Sequence, residues 1–192
     1  MQLQEAHYDL ENVGTPADFG TPNVLRREDY WLMLSGGVGQ FYGNKYTWSF
    51  ADGWQSHIDT PGVDQLKIWK EFFSGFAWQD LVPDQDHAFL TAGYGTFGTV
   101  DTRVSESDYA TAAVTPAGNL AMVYMPTMRA ITVNLAALKG SLRARWFDPT
   151  NGTYQDISGS PFASSGNHEF TPPGKNRRDS PWPQDRPIQY GR

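Results

Sequence analysis

The chain changes its grammar at Pro83, and that change constrains the fold more than any other feature of the sequence. Before it stand two helix-start signals, Thr21-Pro22 and Thr60-Pro61. Each places a hydroxyl that can cap backbone N–H groups ahead of a residue whose fixed φ and missing donor suit the first turn. The first opens NVLRREDYWLMLSGG, which Gly36-Gly37 stops. Tyr30 to Leu34 are apolar or aromatic without a break, which predicts a helix buried on most sides. The second opens VDQLKIWKEFFSGF, where Leu66, Trp69, Phe73 and Phe76 keep the spacing of one buried face. Between them VGQFYGNKYTWSF reads as a strand plus a loop, and LQE at residues 3–5 reads as the end of an earlier strand. Strand, helix, strand, helix is the α/β pattern.

After Pro83 the helix signals vanish. DYATAAVT, NLAMVYMP, AITVNL and SLRARWFD follow at regular spacing, separated by Pro116-Ala117-Gly118-Asn119, Lys139-Gly140 and the turn Asp148 to Gly152. In AITVNL, Ile131, Val133 and Leu135 alternate with Thr132 and Asn134. This is the pattern of an antiparallel β-sandwich, with Val123, Ile131, Val133, Leu135 and Trp146 in its core. Asn151-Gly152-Thr153 matches a glycosylation acceptor, but Asn-Gly is also what a tight hairpin turn requires, and the turn reading is preferred. From Arg177 to Arg192 the chain holds four Arg and three Pro, with Ile188 as the only aliphatic residue. Pro lacks the donor that a ladder needs, so this stretch is expected to be a disordered tail rather than a central strand. The boundaries are therefore 1–84 (α/β), 85–176 (all-β) and 177–192 (tail).

Composition narrows the function. Hydrophobic residues make up 39% of the 192, and seven are Trp, enough to build a core. The net charge of −6, with both signs interspersed, argues against nucleic acid or an anionic membrane as partner. There is no Cys, and His7, His57, His87 and His168 lie far apart, so no metal site and no cofactor is implied. No apolar run approaches the roughly 20 residues of a membrane span. Met1 leads into QLQEAHY without a signal peptide's basic and apolar regions, so the chain is either cytoplasmic or a piece of something longer.

Two clusters carry candidate chemistry. Glu5 ends a strand ahead of a loop and a capped helix, the position that faces the active-site mouth in a parallel barrel. A glycosidase needs such a carboxylate; the alternative is a solvated acid near a frayed end. GGVGQFYGNKYTW brings Tyr42, Asn44 and Trp48 to a strand end, where aromatic faces and an amide suit a sugar. The same residues could instead seal a barrel mouth. The glycines are not a phosphate loop, since no G-x-G-x-x-G or Walker lysine follows.

EAHYD (5–9), R-x-x-Y-W-x-x-L-S-G-G-x-G-x-x-Y-G-N (27–44), W-x-F (48–50) and LVPD (81–84), in this order, resemble the C-terminal end of apiosidase-like (β/α)8-barrel glycoside hydrolases. In that family a small β-sandwich named as a collagen-binding domain of a collagenase follows. Its A-x-W-F-D-P-x-x-G signature matches Ala144 to Gly152, and its F-x-P-P matches Phe170 to Pro173. The resemblance implies that Glu5 is one of two barrel carboxylates, at the end of the seventh strand. It implies that His7, Tyr8, Tyr42, Asn44 and Trp48 bind substrate. The parent is then a secreted or periplasmic bacterial enzyme acting on plant-type glycans, and this chain is a fragment, inactive alone, whose partners are a carbohydrate and the missing N-terminal barrel segment. Such a piece would leave strand edges and one helix face unpaired. The Arg/Pro-rich tail stands where the family has its closing strand, as if the reading frame shifted near Asn176. The alternative is a non-catalytic module binding carbohydrate or collagen.

Overall fold

The computed structural model describes residues 6–14, 17–174 and 188–191, the last four as backbone. A short hairpin comes first, β1 (Asn12–Val13) against β2 (Asp18–Phe19). Helix α1 (Pro22–Leu34) and helix α2 (Pro61–Ser74) follow, each starting where its Thr-Pro signal predicts. The Thr21 hydroxyl accepts from Val24 N–H and the Thr60 hydroxyl from Val63 N–H, both at 3.2 Å, so each cap satisfies one of the donors a helix start leaves free.

Next in order are β3 (Val82–Pro83), β4 (Leu90–Ala92), β5 (Thr111–Val114), β6 (Leu120–Tyr124), β7 (Ile131–Asn134) and β8 (Ser141–Asp148). The remaining strands are β9 (Thr153–Asp156), β10 (Phe162–Ala163), β11 (Asn167–Phe170) and β12 (Ile188–Gly191). One sheet runs β10-β8-β12-β6-β5-β3, with β9 also on β8, and a second runs β11-β7-β4. Every named strand pair is antiparallel. The long β8 takes β9 along its second half and β10 along its first. The four β segments read from the sequence are β5, β6, β7 and β8, and Val123, Ile131, Val133, Leu135 and Trp146 are all buried.

The larger sheet is buried on both faces at its centre. Ala121 and Val123 of β6 join Leu90, Val133, Leu142, Trp146 and Phe170 in a core shared with the smaller sheet. Leu120, Met122 and Tyr124 of the same strand point the other way, into a second core with Tyr30, Met33, Leu34, Phe72, Phe73 and Phe147. Tyr30 stacks on Tyr124 with ring centroids 4.9 Å apart, and Phe72 on Phe147 at 4.3 Å. The helices therefore do not present a bare aromatic face: the outer side of the sheet covers it. On α2 the fully buried residues are Gly62, Gln65, Phe72 and Phe73; Leu66, Trp69 and Phe76 are only partly buried. The face rotates because α2 packs on two surfaces, with Gln65 bonded to Arg26 of α1 and Phe72 on the sheet.

Two expectations are corrected. The strand predicted within residues 38–50 is reduced to one parallel bridge, Asn44 with Asp9. A strand persists only where a neighbour pairs with it, and residues 45–50 turn away from that bridge. Parallel pairing in the described residues is confined to this bridge, and the rest is small antiparallel sheets with two α-helices and three short 3-10 turns. The disordered tail is the second. Ile188–Gly191 forms β12, paired with β6 on one side and β8 on the other, in the middle of the larger sheet. The rule against Pro in a central strand holds, because all three prolines precede Ile188 and none lies within IQYG. The chain thus supplies a strand where the family resemblance requires one; the rest of the expected tail, 177–187, lies outside the described residues.

Candidate functional site

The bridge between Asp9 and Asn44 organises the candidate site. Asp9 N–H donates to the Gly43 carbonyl at 2.9 Å, and Lys45 N–H donates to the Asp9 carbonyl at 3.0 Å. Helix α1 lies between these two segments in sequence and α2 follows the second. Gly43 permits the approach: a Cβ there would stand 2.5 Å from the Tyr8 ring. Tyr8 is packed over this joint as a result.

The Asp9 side chain is 1% exposed and sits at the start of α2. Its Oδ2 accepts from the Thr60 hydroxyl at 2.5 Å and from the Tyr42 hydroxyl at 2.9 Å, while Oδ1 is buried without a partner. Gly62 makes room for it, since a Cβ there would lie 2.6 Å from Oδ2. The positive end of the α2 dipole favours an anion at this place. Asn44 is wholly buried: its Oδ1 accepts from Tyr46 N–H at 2.9 Å, and its Nδ2 donates to the Tyr42 hydroxyl and the His57 carbonyl. Burial pushes the Tyr42 phenol up to about 12, with the nearby Asp9 carboxylate acting in the same direction.

His7 belongs to a neighbouring pair. Its Nδ1 is 2.6 Å from Glu28 Oε1 on α1, and its backbone N–H donates to Oε2 at 3.1 Å. The bond to Glu28 raises the imidazole's pKa, against a smaller opposing effect of burial. Its Nε2 is buried and unpartnered.

Of the residues singled out from sequence, Tyr8, Tyr42 and Asn44 meet around Asp9, and His7 lies two residues along the same segment. Trp48 stands apart; its backbone follows the Asn44 turn, but the residue is 61% exposed. Glu5 lies outside the described residues. Asp9, Thr60 and Glu28 are not among the candidates from sequence. Asp9 closes the EAHYD motif and Thr60 was visible as a helix cap, so both carried a signal, but their meeting is a long-range event. As arranged, the cluster is a buried brace of one carboxylate, two hydroxyls and one amide that fixes where two neighbouring segments end.

Residues 2–80 match the family model described as "Apiosidase-like, catalytic domain", and residues 99–183 match "Putative collagen-binding domain of a collagenase". Both stand in the order the motifs imply. Among solved structures, one described as a glycoside hydrolase aligns with a TM-score of 0.77 at 20% identity, over 99% of this chain and 42% of that one. A glycoside hydrolase family 5 protein from Bacteroides vulgatus aligns with a TM-score of 0.75 at 19% identity, over 96% of this chain and 40% of that one. The chain thus spans about two fifths of the length of these structures. No curated protein sequence matches it.

Proposed function

We propose that the chain carries the closing part of a bacterial apiosidase-like glycoside hydrolase, the last two units of a (β/α)8 barrel followed by that family's β-sandwich. The observation that carries this reading is the parallel joint at Asp9 and Asn44, with α1 between its segments and α2 after them. That is the connectivity of two consecutive β/α units, and it falls inside the region that matches the catalytic-domain model.

Under this reading Glu5 is one of the two carboxyl groups that glycoside hydrolysis requires, acting across the scissile bond of a plant-type glycan. His7 and Tyr8 line the same segment, and the open indole of Trp48 is free to stack on the apolar face of a sugar ring. Tyr42 and Asn44, tied to Asp9 and Thr60, hold the pocket wall in place. The second carboxyl group would come from the part of the barrel that precedes these residues in the longer relatives. The working partner is then that missing segment, the compartment is extracellular or periplasmic, and the chain alone is inactive.

The test is turnover of a panel of aryl glycosides by the purified chain, and by the chain mixed with the upstream segment taken from the surrounding gene. No turnover alone and turnover in the mixture, abolished by Glu5→Gln, is the expected result. Turnover by the chain alone would overturn its dependence on a partner. Restored turnover that survives Glu5→Gln would overturn the assignment of Glu5. The second reading, a non-catalytic module binding carbohydrate or collagen, draws on the match over 99–183. Its motif residues Trp146 and Phe147 are buried, so they brace the core and cannot form a binding face.

A further inference from the structure

The connection between β4 and β5 is unusually long. It covers eighteen residues, 93–110, without a helix or strand of its own, and loops of that length inside a compact fold are commonly functional. This one is held rigidly. The Arg27 guanidinium on α1 donates to the carbonyls of Val104, Ser105 and Ser107, and Asp18 accepts from Ser105 N–H at 2.8 Å. Trp31 Nε1 donates to the Tyr109 carbonyl at 2.9 Å, and Ala110 N–H closes the base of the loop on the Tyr94 carbonyl at 2.7 Å.

A rigid loop would ordinarily turn its aromatic residues inward. Here Phe97 is 75% exposed, held edge-on to Tyr109 with centroids 5.1 Å apart. The two rings and Trp31 border a cleft of about 260 Å³ between the loop and the end of α1. Hydroxyl residues Ser35, Thr102 and Ser107 are among its lining, the Thr102 hydroxyl already accepting from Thr99 N–H at 3.0 Å and that of Ser107 from Tyr109 N–H at 3.5 Å, each with its own proton to donate. Of the lining residues only Arg103 is charged, and its guanidinium is already engaged by Glu106 at 2.9 Å and by the Ala17 carbonyl. Aromatic walls with hydroxyls and no free charge select a neutral ligand that has both an apolar face and hydroxyl groups. The volume admits a single ring.

We propose that this cleft, formed by Trp31, Phe97 and Tyr109, binds one neutral sugar residue of a glycan chain. The site is separate from the Asp9 cluster and does not depend on Glu5 or on any barrel activity. It is pre-formed, so little ordering entropy opposes binding.

Chemical-shift mapping by protein NMR on the full chain tests this, with glucose, galactose, xylose, arabinose, cellohexaose and xylohexaose as probes and a proline-rich peptide as the control. At least one probe is expected to bind and to perturb resonances of Phe97, Tyr109 and Trp31. Phe97→Ala, at an exposed position, is expected to weaken binding about five- to tenfold with the melting temperature unchanged. Ser35→Trp, which plugs the cleft from its exposed rim, is expected to abolish it. Binding to none of the probes would overturn the proposal. So would binding that both variants leave intact, or a cleft that takes a proline-rich peptide and no sugar.

Discussion

The Nη1 atom of Arg27 lies 2.6 Å from the carbonyl oxygen of Ser107. The guanidinium is wholly buried, and the same nitrogen also serves Val104 and Ser105, so one side chain on α1 gathers the carbonyls of a segment some eighty residues away. Among the described residues no carboxylate pairs with it. Arg27→Met should leave three carbonyls without their donor and cost about 2–4 kcal/mol. Urea melts measure the loss, and limited proteolysis should place new cleavage within residues 99–108.

Thr60 and Thr21 cap their helices in the same way, yet only Thr60 also donates to Asp9. Thr21→Val should cost about 1 kcal/mol, the ordinary value of a lost cap. Thr60→Val should cost roughly 2–3 kcal/mol, because it also strips a hydrogen bond from a buried carboxylate. Equal losses in parallel denaturation curves would show that the Asp9 contact contributes nothing.

The His7–Glu28 pair makes stability depend on pH. The folded-state pKa of His7 is raised above its ordinary 6.5, chiefly by the bond to Glu28. The pair's contribution is therefore fully present below about pH 6.5 and is lost as pH rises through the raised value. The gap in stability between the parent chain and His7→Gln should be widest near pH 5.5 and shrink toward pH 9. Titration of the imidazole resonances checks the direction of the shift.

Deleting residues 175–192 should be costly. It removes β12 from between β6 and β8, and with it two ladders of four residues each. At about 0.5–1.5 kcal/mol per hydrogen bond, the loss should reach roughly 4 kcal/mol, a fall in melting temperature of about 8–16 °C. An unchanged melt would mean that β12 does not hold the sheet in solution.

What could be read from the sequence was local. Both helix starts were visible because Thr-Pro acts within a single turn. The β8–β9 turn was visible because Asn151-Gly152 suits a backbone that reaches φ +76° at Gly152. The double burial of β6 was available too: LAMVY is apolar throughout, as a strand covered on both faces must be. What stayed hidden depends on distant partners. IQYG holds too little apolar content to announce a central strand; its place is set by two unsatisfied edges supplied by β6 and β8. Asp9 stands in the sequence only as the last residue of EAHYD, and folding brings Thr60, Tyr42 and the start of α2 around it.

The position of β12 also bears on how the protein is made. Because β6 and β8 precede β12 in the chain, both leave the ribosome first, each with an open edge facing a gap that nothing yet fills. Until residues 188–191 follow, those edges can pair with any extended segment nearby, including the same strands of a neighbouring nascent chain. The yield of folded protein is then open to synthesis rate and chaperone supply as well as to the stability of the finished sheet.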